Sequence, residues 1–221
     1  MRVLVVAPHM DDEVLGCGGV ICRHKNEGDH VSVLFVANRL YDHRYDPEKN
    51  AVERACALKA QGVLAYDEMI FLGLTDERLD AAVQDIIVPV EEHVAKGEPD
   101  TVYIPFRGDN NQDHRAVYQA MRVVFRPHAV PHVGQLLMYE VPSSTDQSPP
   151  LPENAFLPNF YVNIGGYLDK KIEANRCYVT EKRTYPHPRS DESLKVFAMK
   201  RGIEIGYEFA EAFMILRRKW A

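Results

Sequence analysis

The chain has 221 residues, a net charge of −6 and four cysteines. The acidic balance argues against nucleic acid as the main partner, because phosphate binding needs a basic face. No apolar run approaches the ~20 residues of a membrane span, and the N-terminal apolar run is too short for a signal peptide. The length is that of one domain covering residues 1–221, and the cysteines, which form no C-x-x-C pair, are expected to be reduced thiols in a cytoplasmic protein.

Strands and helices are predicted to alternate through the first two thirds of the chain. Runs of β-branched and aliphatic residues predict buried strands at residues 2–7, 31–37, 69–72, 101–105 and 134–141. Apolar periodicity and glycine stop signals predict helices at residues 13–26, 47–61, 79–96 and 113–125. This alternation predicts an α/β sandwich around a mainly parallel sheet.

The last third of the chain is less regular. Residues 142–160 form an excursion rich in proline, and long surface loops in compact domains are often binding elements. A strand at residues 160–164 and helices at 167–178 and 190–202 are predicted to follow it. The pattern over residues 208–217 fits either a helix or a strand.

Two clusters of polar residues follow predicted strands. His9 and three consecutive acids come directly after the first strand, and a second cluster from Asp109 to His114 follows the fourth. Buried parallel strands present ligands at their carboxyl ends, so the two clusters can converge on one ion there. Imidazole and carboxylate groups are ligands for Zn²⁺ or a similar divalent ion. The competing interpretation is that the acids cap a helix and that His9 is an ordinary loop histidine.

These clusters resemble the motifs of a known enzyme family. Residues 8–13, Pro-His-Met-Asp-Asp-Glu, resemble the Ala-His-Pro-Asp-Asp-Glu signature of the PIG-L/LmbE-like metal-dependent deacetylases, and residues 111–114, Asn-Gln-Asp-His, resemble its His-x-Asp-His motif. Weaker similarities lie at residues 71–76, 187–190 and 208–213. The resemblance implies a Rossmann-like three-layer fold and removal of the N-acetyl group from an amino sugar or its conjugate. It also implies a bound Zn²⁺ ion, with Fe²⁺ as the alternative.

The resemblance assigns roles within the clusters. It implies that His9, Asp12 and His114 hold the metal and that Asp11 is the general base for a metal-activated water. Adjacent side chains point in different directions, so Asp11 and Asp12 are not expected to share one role, but spacing alone does not say which of them binds the metal. Asp113, the other acid of the second motif, is expected to orient a histidine in the active site or to cap the next helix.

Asn111 is the main departure from the family pattern, which often has histidine at that position. An asparagine amide can donate a hydrogen bond to an oxyanion but cannot carry a proton. We expect Asn111 to have this donor role, and the alternative is that it only hydrogen-bonds its own loop. Met10, in place of a proline, removes no ligand, and Glu53 matches a glutamate that recurs in the family.

Substrate contacts are expected from residues around the two clusters. The loop at residues 39–47 is polar and aromatic and supplies Arg39 and Arg44, although a plain solvated loop explains it equally well. Asp109 and His187 are the other candidates. The expected partner is a small N-acetylated sugar or conjugate, and the sequence is compatible with a homo-oligomer.

Two other functions compete with the deacetylase. Gly16-x-Gly18 after a strand resembles the dinucleotide-binding fingerprint of oxidoreductases, but Ile21 stands at the third glycine position and acids would face the pyrophosphate. The second alternative is a non-catalytic carbohydrate-binding relative, which Asn111 keeps open. Metal content together with acetate release distinguishes a deacetylase from this relative, whereas cofactor absorbance and thermal stabilisation by a nicotinamide would favour the oxidoreductase.

Overall fold

The structure, a computed structural model, describes residues 1–220, and this part of the chain contains nine strands. They are β1 (Arg2–Ala7), β2 (His30–Asn38), β3 (Leu40–Tyr41), β4 (Arg44–Tyr45), β5 (Glu68–Thr75), β6 (Thr101–Pro105), β7 (Gln135–Tyr139), β8 (Phe160–Asn163) and β9 (Ala210–Arg218). Strands β3 and β4 form a separate hairpin, and the other seven strands form one sheet in the order β5-β2-β1-β6-β7-β9-β8.

Most of this sheet is parallel. Strands β5, β2, β1, β6 and β7 run in the same direction, with Val3 of β1 opposite Val31 of β2 and Thr101 of β6. Strand β9 pairs antiparallel with both β7 and β8. The prediction of an α/β fold with a mainly parallel sheet is therefore confirmed, and the ambiguous segment at residues 208–217 is largely a strand.

Helices cover both faces of the sheet. They are α1 (Asp12–Asn26), α2 (Pro47–Leu64), α3 (Val83–Gly97), α4 (Gln112–Val124), α5 (Leu168–Cys177) and α6 (Asp191–Ile203). Helices α1, α2, α5 and α6 share one apolar core with one face of the sheet, and α3 and α4 share a second core with the other face. This arrangement is the three-layer Rossmann-like sandwich. Within residues 1–220, no helix is long and apolar enough to cross a membrane.

Several local features differ from the sequence prediction, and one of them is the start of α3, which begins at Val83 and not at residue 79. Helix α2 continues past Gly62 to Leu64, and the residue that caps it, Ala65, has a left-handed φ of 62°. The predicted loop at residues 39–47 contains the β3–β4 hairpin, whose tip residues Asp42 and His43 have φ values of 50° and 59°. Tight hairpin turns of this hand normally carry glycine, and neither tip residue is a glycine. The sequence therefore lacked the usual hairpin signal.

Helix α1 packs unusually close to its neighbours. A Cβ atom at Gly16 would lie 2.2 Å from Cδ2 of Tyr139, and one at Gly19 would lie 2.6 Å from Cγ2 of Ile164. The Tyr139 hydroxyl in turn donates a hydrogen bond of 2.8 Å to the carbonyl oxygen of Val6, at the end of β1. Glycines in α1 thus allow an aromatic ring to lie directly behind the turn between β1 and α1.

A buried ion pair connects α1, α5 and β9. The Lys171 ammonium donates to Oε1 of Glu211 at 2.6 Å and to the carbonyl oxygen of Leu15 at 2.8 Å. The Glu211 carboxylate also accepts the backbone N–H groups of Gly19 and Val20, at 2.8 and 2.7 Å. Both charged side chains are almost fully buried, so each depends on the other for its charge compensation.

We expect Lys171→Met to destabilise the protein by about 3–5 kcal/mol, because it leaves the Glu211 carboxylate buried without a counter-charge. Urea unfolding would measure the loss. The matched control is Lys170→Met on the exposed side of α5, expected to change stability by less than about 0.5 kcal/mol. Equal stability of the two variants would show that the buried pair has no such role.

Candidate active site

Polar side chains from three strand ends meet at the carboxyl edge of the parallel sheet. His9 and Asp12 lie in the turn after β1, and Asp76 follows β5. Asp113 and His114 lie in the first turn of α4, which follows β6. In an open α/β sheet this edge is where ligands bind, so the position itself favours a functional site.

Three of these residues direct donor atoms toward one another. Asp12 Oδ2 lies 3.3 Å from Nδ1 of His9 and 3.2 Å from Nε2 of His114. Asp12 and His114 are almost fully buried, and His9 is partly exposed. The three donor atoms lie within 4.8 Å of one another. Two imidazoles and one carboxylate form a donor set that suits Zn²⁺ or Fe²⁺, so the residues present fit such an ion.

The opposite nitrogen of each histidine faces further carboxylates. His9 Nε2 lies 3.0 Å from Oδ1 of Asp76 and 3.2 Å from Oδ2 of Asp113. His114 Nδ1 lies 3.3 Å from Oδ1 of Asp109. Carboxylates in this position fix the tautomer and orientation of metal-binding histidines.

The cluster stabilises positive charge. Burial alone would lower the pKa of His114, but the Asp12 and Asp109 carboxylates outweigh this effect and raise the pKa to about 9. Burial raises the pKa of Asp12, but His114 and His9 together hold it well below its usual range. A site that favours protons this strongly also favours a cation.

Two other groups of His and carboxylate residues lie close enough to hold an ion within residues 1–220. One consists of His9, Asp76 and Asp113, and so uses the other ring nitrogen of His9. The second, at the opposite end of α1, consists of His24, Glu27 and Asp29. Both ring nitrogens of His24 already have partners, since Nδ1 lies 2.7 Å from Oδ2 of Asp29 and Nε2 lies 3.0 Å from the Tyr103 hydroxyl oxygen.

Asp11 has a strained backbone and does not cap α1 with its side chain. Its φ of 124° lies in a region that residues other than glycine rarely adopt, and its side chain makes no capping hydrogen bond. The carboxylate instead accepts a hydrogen bond of 2.6 Å from Nη1 of Arg189. Burial raises the pKa of Asp11 to about 6, although Arg189 opposes this shift. The interpretation that Asp11 is merely a capping acid does not fit this geometry.

Glu13 supports the strained turn from behind. Its Oε2 accepts the backbone N–H of Asp11 at 3.1 Å, and its Oε1 accepts the Tyr178 hydroxyl at 2.5 Å. Glu13 is fully buried, and burial is the main cause that raises its pKa to about 8. The turn between β1 and α1 is therefore held from α1 itself and from the end of α5.

A polar cavity of about 230 Å³ opens above this cluster. It is lined by His9, Met10, Asp11, Ala37, Arg39, Glu53, Asp76, Glu77, Asn111, Glu181 and Arg189. A small-molecule substrate can therefore reach the face of His9 and the carboxylate of Asp11.

The two ends of the Asn111 amide have different surroundings. Its Oδ1 accepts the backbone N–H of Asp113 at 2.8 Å and so caps α4. The residue is exposed and lines the cavity, which leaves the NH₂ group available to a ligand. The loop hydrogen bond anticipated as an alternative is present, and it does not consume the donor.

The structure separates the residues expected to contact substrate. Arg39 lines the cavity, where it contacts Glu181. Arg44 is exposed on β4, away from the cavity lining. His187 is also outside the lining, where its Nδ1 accepts the backbone N–H of Arg189 at 3.1 Å.

The acids Asp109 and Asp113 are both buried behind the histidines, and this position differs from the substrate contact expected of Asp109. Asp109 accepts hydrogen bonds from Thr145 at 2.6 Å and from Ser144, at the start of the Pro-rich excursion. Asp113 accepts the backbone N–H groups of Glu77 and Leu79 at 2.7 and 3.2 Å. Their carboxylates are thereby occupied by the protein, which suits them to orient neighbouring groups.

Four charged residues of the cavity did not emerge as candidates from the sequence: Asp76, Glu77, Glu181 and Arg189. Asp76 and Arg189 lie within the weaker family similarities at residues 71–76 and 187–190, so a signal for them existed. Glu181 lies in an irregular segment between α5 and α6 and carried no signal.

Comparison with known proteins gives relatives in sequence and in structure. The uncharacterized deacetylase YaiS of Escherichia coli K12 is 29% identical over 152 residues, 64% of this chain and 75% of that protein. The N,N'-diacetylchitobiose deacetylase of Pyrococcus horikoshii superposes with a TM-score of 0.77 at 20% identity, over 97% of this chain and 83% of that one. GalB, the 4-carboxy-2-hydroxymuconate hydratase of Pseudomonas putida KT2440, superposes with a TM-score of 0.78 at 18% identity, over 100% of this chain and 98% of that one.

These two solved structures share the fold, but their names describe different reactions, so the fold alone does not select the chemistry. The family evidence comes from the sequence. The profile of PIG-L, described as GlcNAc-PI de-N-acetylase, matches residues 4–125, which include both polar clusters and more than half of the chain. The chain therefore belongs to the PIG-L family.

Proposed function

We propose that this protein is a metal-dependent deacetylase that hydrolyses the N-acetyl group of an amino sugar or amino-sugar conjugate. The observation that carries the proposal is the convergence of two histidines and a carboxylate beside Asp11 in a polar cavity. Family membership supports the same reaction. The site draws on residues from His9 to Arg189, which also supports a single domain.

The metal in this proposal is Zn²⁺, with Fe²⁺ as the alternative, held by His9, Asp12 and His114. When bound, such an ion polarises the substrate carbonyl and lowers the pKa of a water toward ~7. Asp113 and Asp76 orient His9 from its opposite nitrogen, and Asp109 orients His114.

Asp11 moves the proton in this proposal. Its carboxylate lines the cavity, accepts the proton of the attacking water and returns it to the nitrogen of the leaving amine. Acetate and the free amine are the products. Arg189 holds one carboxylate oxygen of Asp11 at 2.6 Å, while Glu13 holds its backbone N–H, so the base is fixed at both ends.

Asn111 donates its NH₂ to the substrate oxygen as negative charge develops there. The cap on α4 fixes the orientation of the amide, because Oδ1 faces the Asp113 N–H and the NH₂ must face the other way. A donor that is already oriented costs little reorganisation when the charge develops.

We expect Asn111→Ala to lower kcat by about 10²–10³-fold with the metal content unchanged, because one oxyanion donor is lost. Asn111→Asp keeps a capping oxygen but has no NH₂, so it should lose activity without the ~1 kcal/mol stability cost of a missing cap. Asn110→Ala, at the exposed neighbouring position, is the matched control. A near-wild-type kcat for Asn111→Ala, with reduced stability, would mean that the residue only caps the helix.

Acetate release from a panel of N-acetylated sugars and conjugates tests the proposed function. The metal-loaded protein should release acetate and free amine in equal amounts, and a chelator should abolish this release. Absorbance of a nicotinamide cofactor, or stabilisation of the fold by one, would instead support the oxidoreductase. Sugar binding without acetate release from the metal-loaded protein would support the non-catalytic relative.

A further inference from the structure

The cavity carries an excess of negative charge, which bears on the class of sugar that it accepts under the proposed function. Five carboxylates line it, and they belong to Asp11, Glu53, Asp76, Glu77 and Glu181. The guanidinium groups of Arg39 and Arg189 lie among them, and Arg183 pairs with Glu181 from outside the lining at 3.3 Å, so the five carboxylates outnumber the arginines by two. A divalent ion would compensate these two charges and would keep its histidine ligands neutral, while the buried carboxylates of Asp12, Asp109 and Asp113 add negative charge behind the lining.

Both guanidinium groups are already paired with carboxylates. Arg189 donates from Nη1 to Asp11 at 2.6 Å and to Glu181 at 3.0 Å, and from Nε to the Ser143 hydroxyl at 2.6 Å. Arg39 contacts Glu181 through Nη1, which lies 3.9 Å from Oε1 of Glu53. Recognition of a phosphate or carboxylate on a substrate normally uses an arginine fork that is free to bind both oxygens. In Arg189 both Nε and Nη1 are occupied, and in Arg39 Nη1 faces Glu181, so each guanidinium group already has a carboxylate partner.

The lining is rich in hydrogen-bond acceptors. Glu53 is almost fully buried and accepts one hydrogen bond of 2.6 Å, from the Tyr41 hydroxyl to Oε1. Glu77 is 42% exposed and accepts one of 2.6 Å from His43 to Oε2. Ionised carboxylates only accept hydrogen bonds, and each has several lone-pair sites. Their remaining sites suit ligands that donate, such as sugar hydroxyl groups.

We infer that the cavity selects N-acetylated sugars that carry no anionic substituent on the ring that enters it, and that Glu53, Glu77 and Glu181 exclude phosphorylated or carboxylated rings. Hydroxyl groups satisfy the carboxylate acceptors, whereas a phosphate would bring like charges together with no unpaired arginine to receive it. Selection then comes from repulsion of the wrong ligand as well as from contacts with the right one.

The test compares N-acetylglucosamine with its 1-phosphate and its 6-phosphate, by calorimetric binding and by acetate release. We expect the neutral sugar to bind the purified protein about tenfold more tightly than either phosphate, and to have a higher kcat/KM by a similar factor. Equal or tighter binding of both phosphates overturns the inference, whether or not acetate is released. Acetate release separately decides the proposed function, so the two failures are distinguishable.

Charge-neutralising variants identify the residues responsible. Glu53→Gln and Glu77→Gln should each narrow the difference in binding affinity between the neutral and the phosphorylated sugars, because each removes one negative charge from the lining. Glu92→Gln removes the same charge on the exposed surface of α3 and should leave the difference unchanged. An unchanged difference in both cavity variants, or the same narrowing in Glu92→Gln, would contradict the role of these carboxylates.

Discussion

Replacing His114 with alanine should leave the purified protein with little or no bound divalent metal. His114 supplies one of only two imidazoles in the proposed ligand set, and its Nε2 faces the same Asp12 oxygen as Nδ1 of His9. Loss of a group that merely orients a ligand costs ~10–100-fold in metal affinity, so loss of the ligand itself should cost more. His9→Ala should behave in the same way. Elemental analysis of the dialysed variants measures the result.

The control is His24→Ala, which removes a buried histidine from the group at the opposite end of α1. Metal content should be unchanged in that variant. The pattern across the three variants also distinguishes the candidate sites. Metal loss in His9→Ala with retention in His114→Ala would place the ion among His9, Asp76 and Asp113 instead. Full occupancy in both would contradict the proposed ligand set.

The fold followed from the sequence where burial is uniform. Strands β1, β2 and β6 are mostly apolar and are buried along nearly their whole length, as expected for strands covered on both faces. Strand β9 has an apolar run of five residues between charged ones, and its second half is only partly buried at the antiparallel side of the sheet, so the run alone does not distinguish a strand from a helix. Its burial depends on where β7 and β8 lie, and a local sequence pattern does not contain that information.

The approach of the two polar clusters to one another also followed from the sequence, because both lie at carboxyl ends of parallel strands. The part of the cavity lining that Glu181 and Arg189 form did not follow from the sequence. Glu181 and Arg189 come from the segment between α5 and α6, whose path has no periodic signal. Their placement beside Asp11 depends on specific contacts such as the one between Arg189 and Ser143, at 2.6 Å. Contacts between irregular segments are decided by tertiary packing, not by local propensity.

Asp11→Asn is expected to keep its metal and to lose activity by at least the ~10²–10⁴-fold that general acid–base groups contribute. The substitution preserves the size of the side chain and removes its capacity to accept a proton from water. The ligand atoms proposed for the metal belong to His9, Asp12 and His114, and Asp11 makes its short contact with Arg189 instead. Elemental analysis and acetate release, measured on the same preparation, separate metal binding from catalysis.

Asp12→Asn is the matched comparison, because it changes the adjacent carboxylate in the same way. Asp12 Oδ2 lies within 3.3 Å of a nitrogen of each proposed histidine ligand, so this variant should lose metal and activity together. The two neighbours should therefore fail differently: one as a loaded but inactive protein, the other as a metal-depleted one. If Asp11→Asn loses the metal and Asp12→Asn retains it, the two roles are reversed. If both variants keep the metal and full activity, neither carboxylate has the role that the geometry supports.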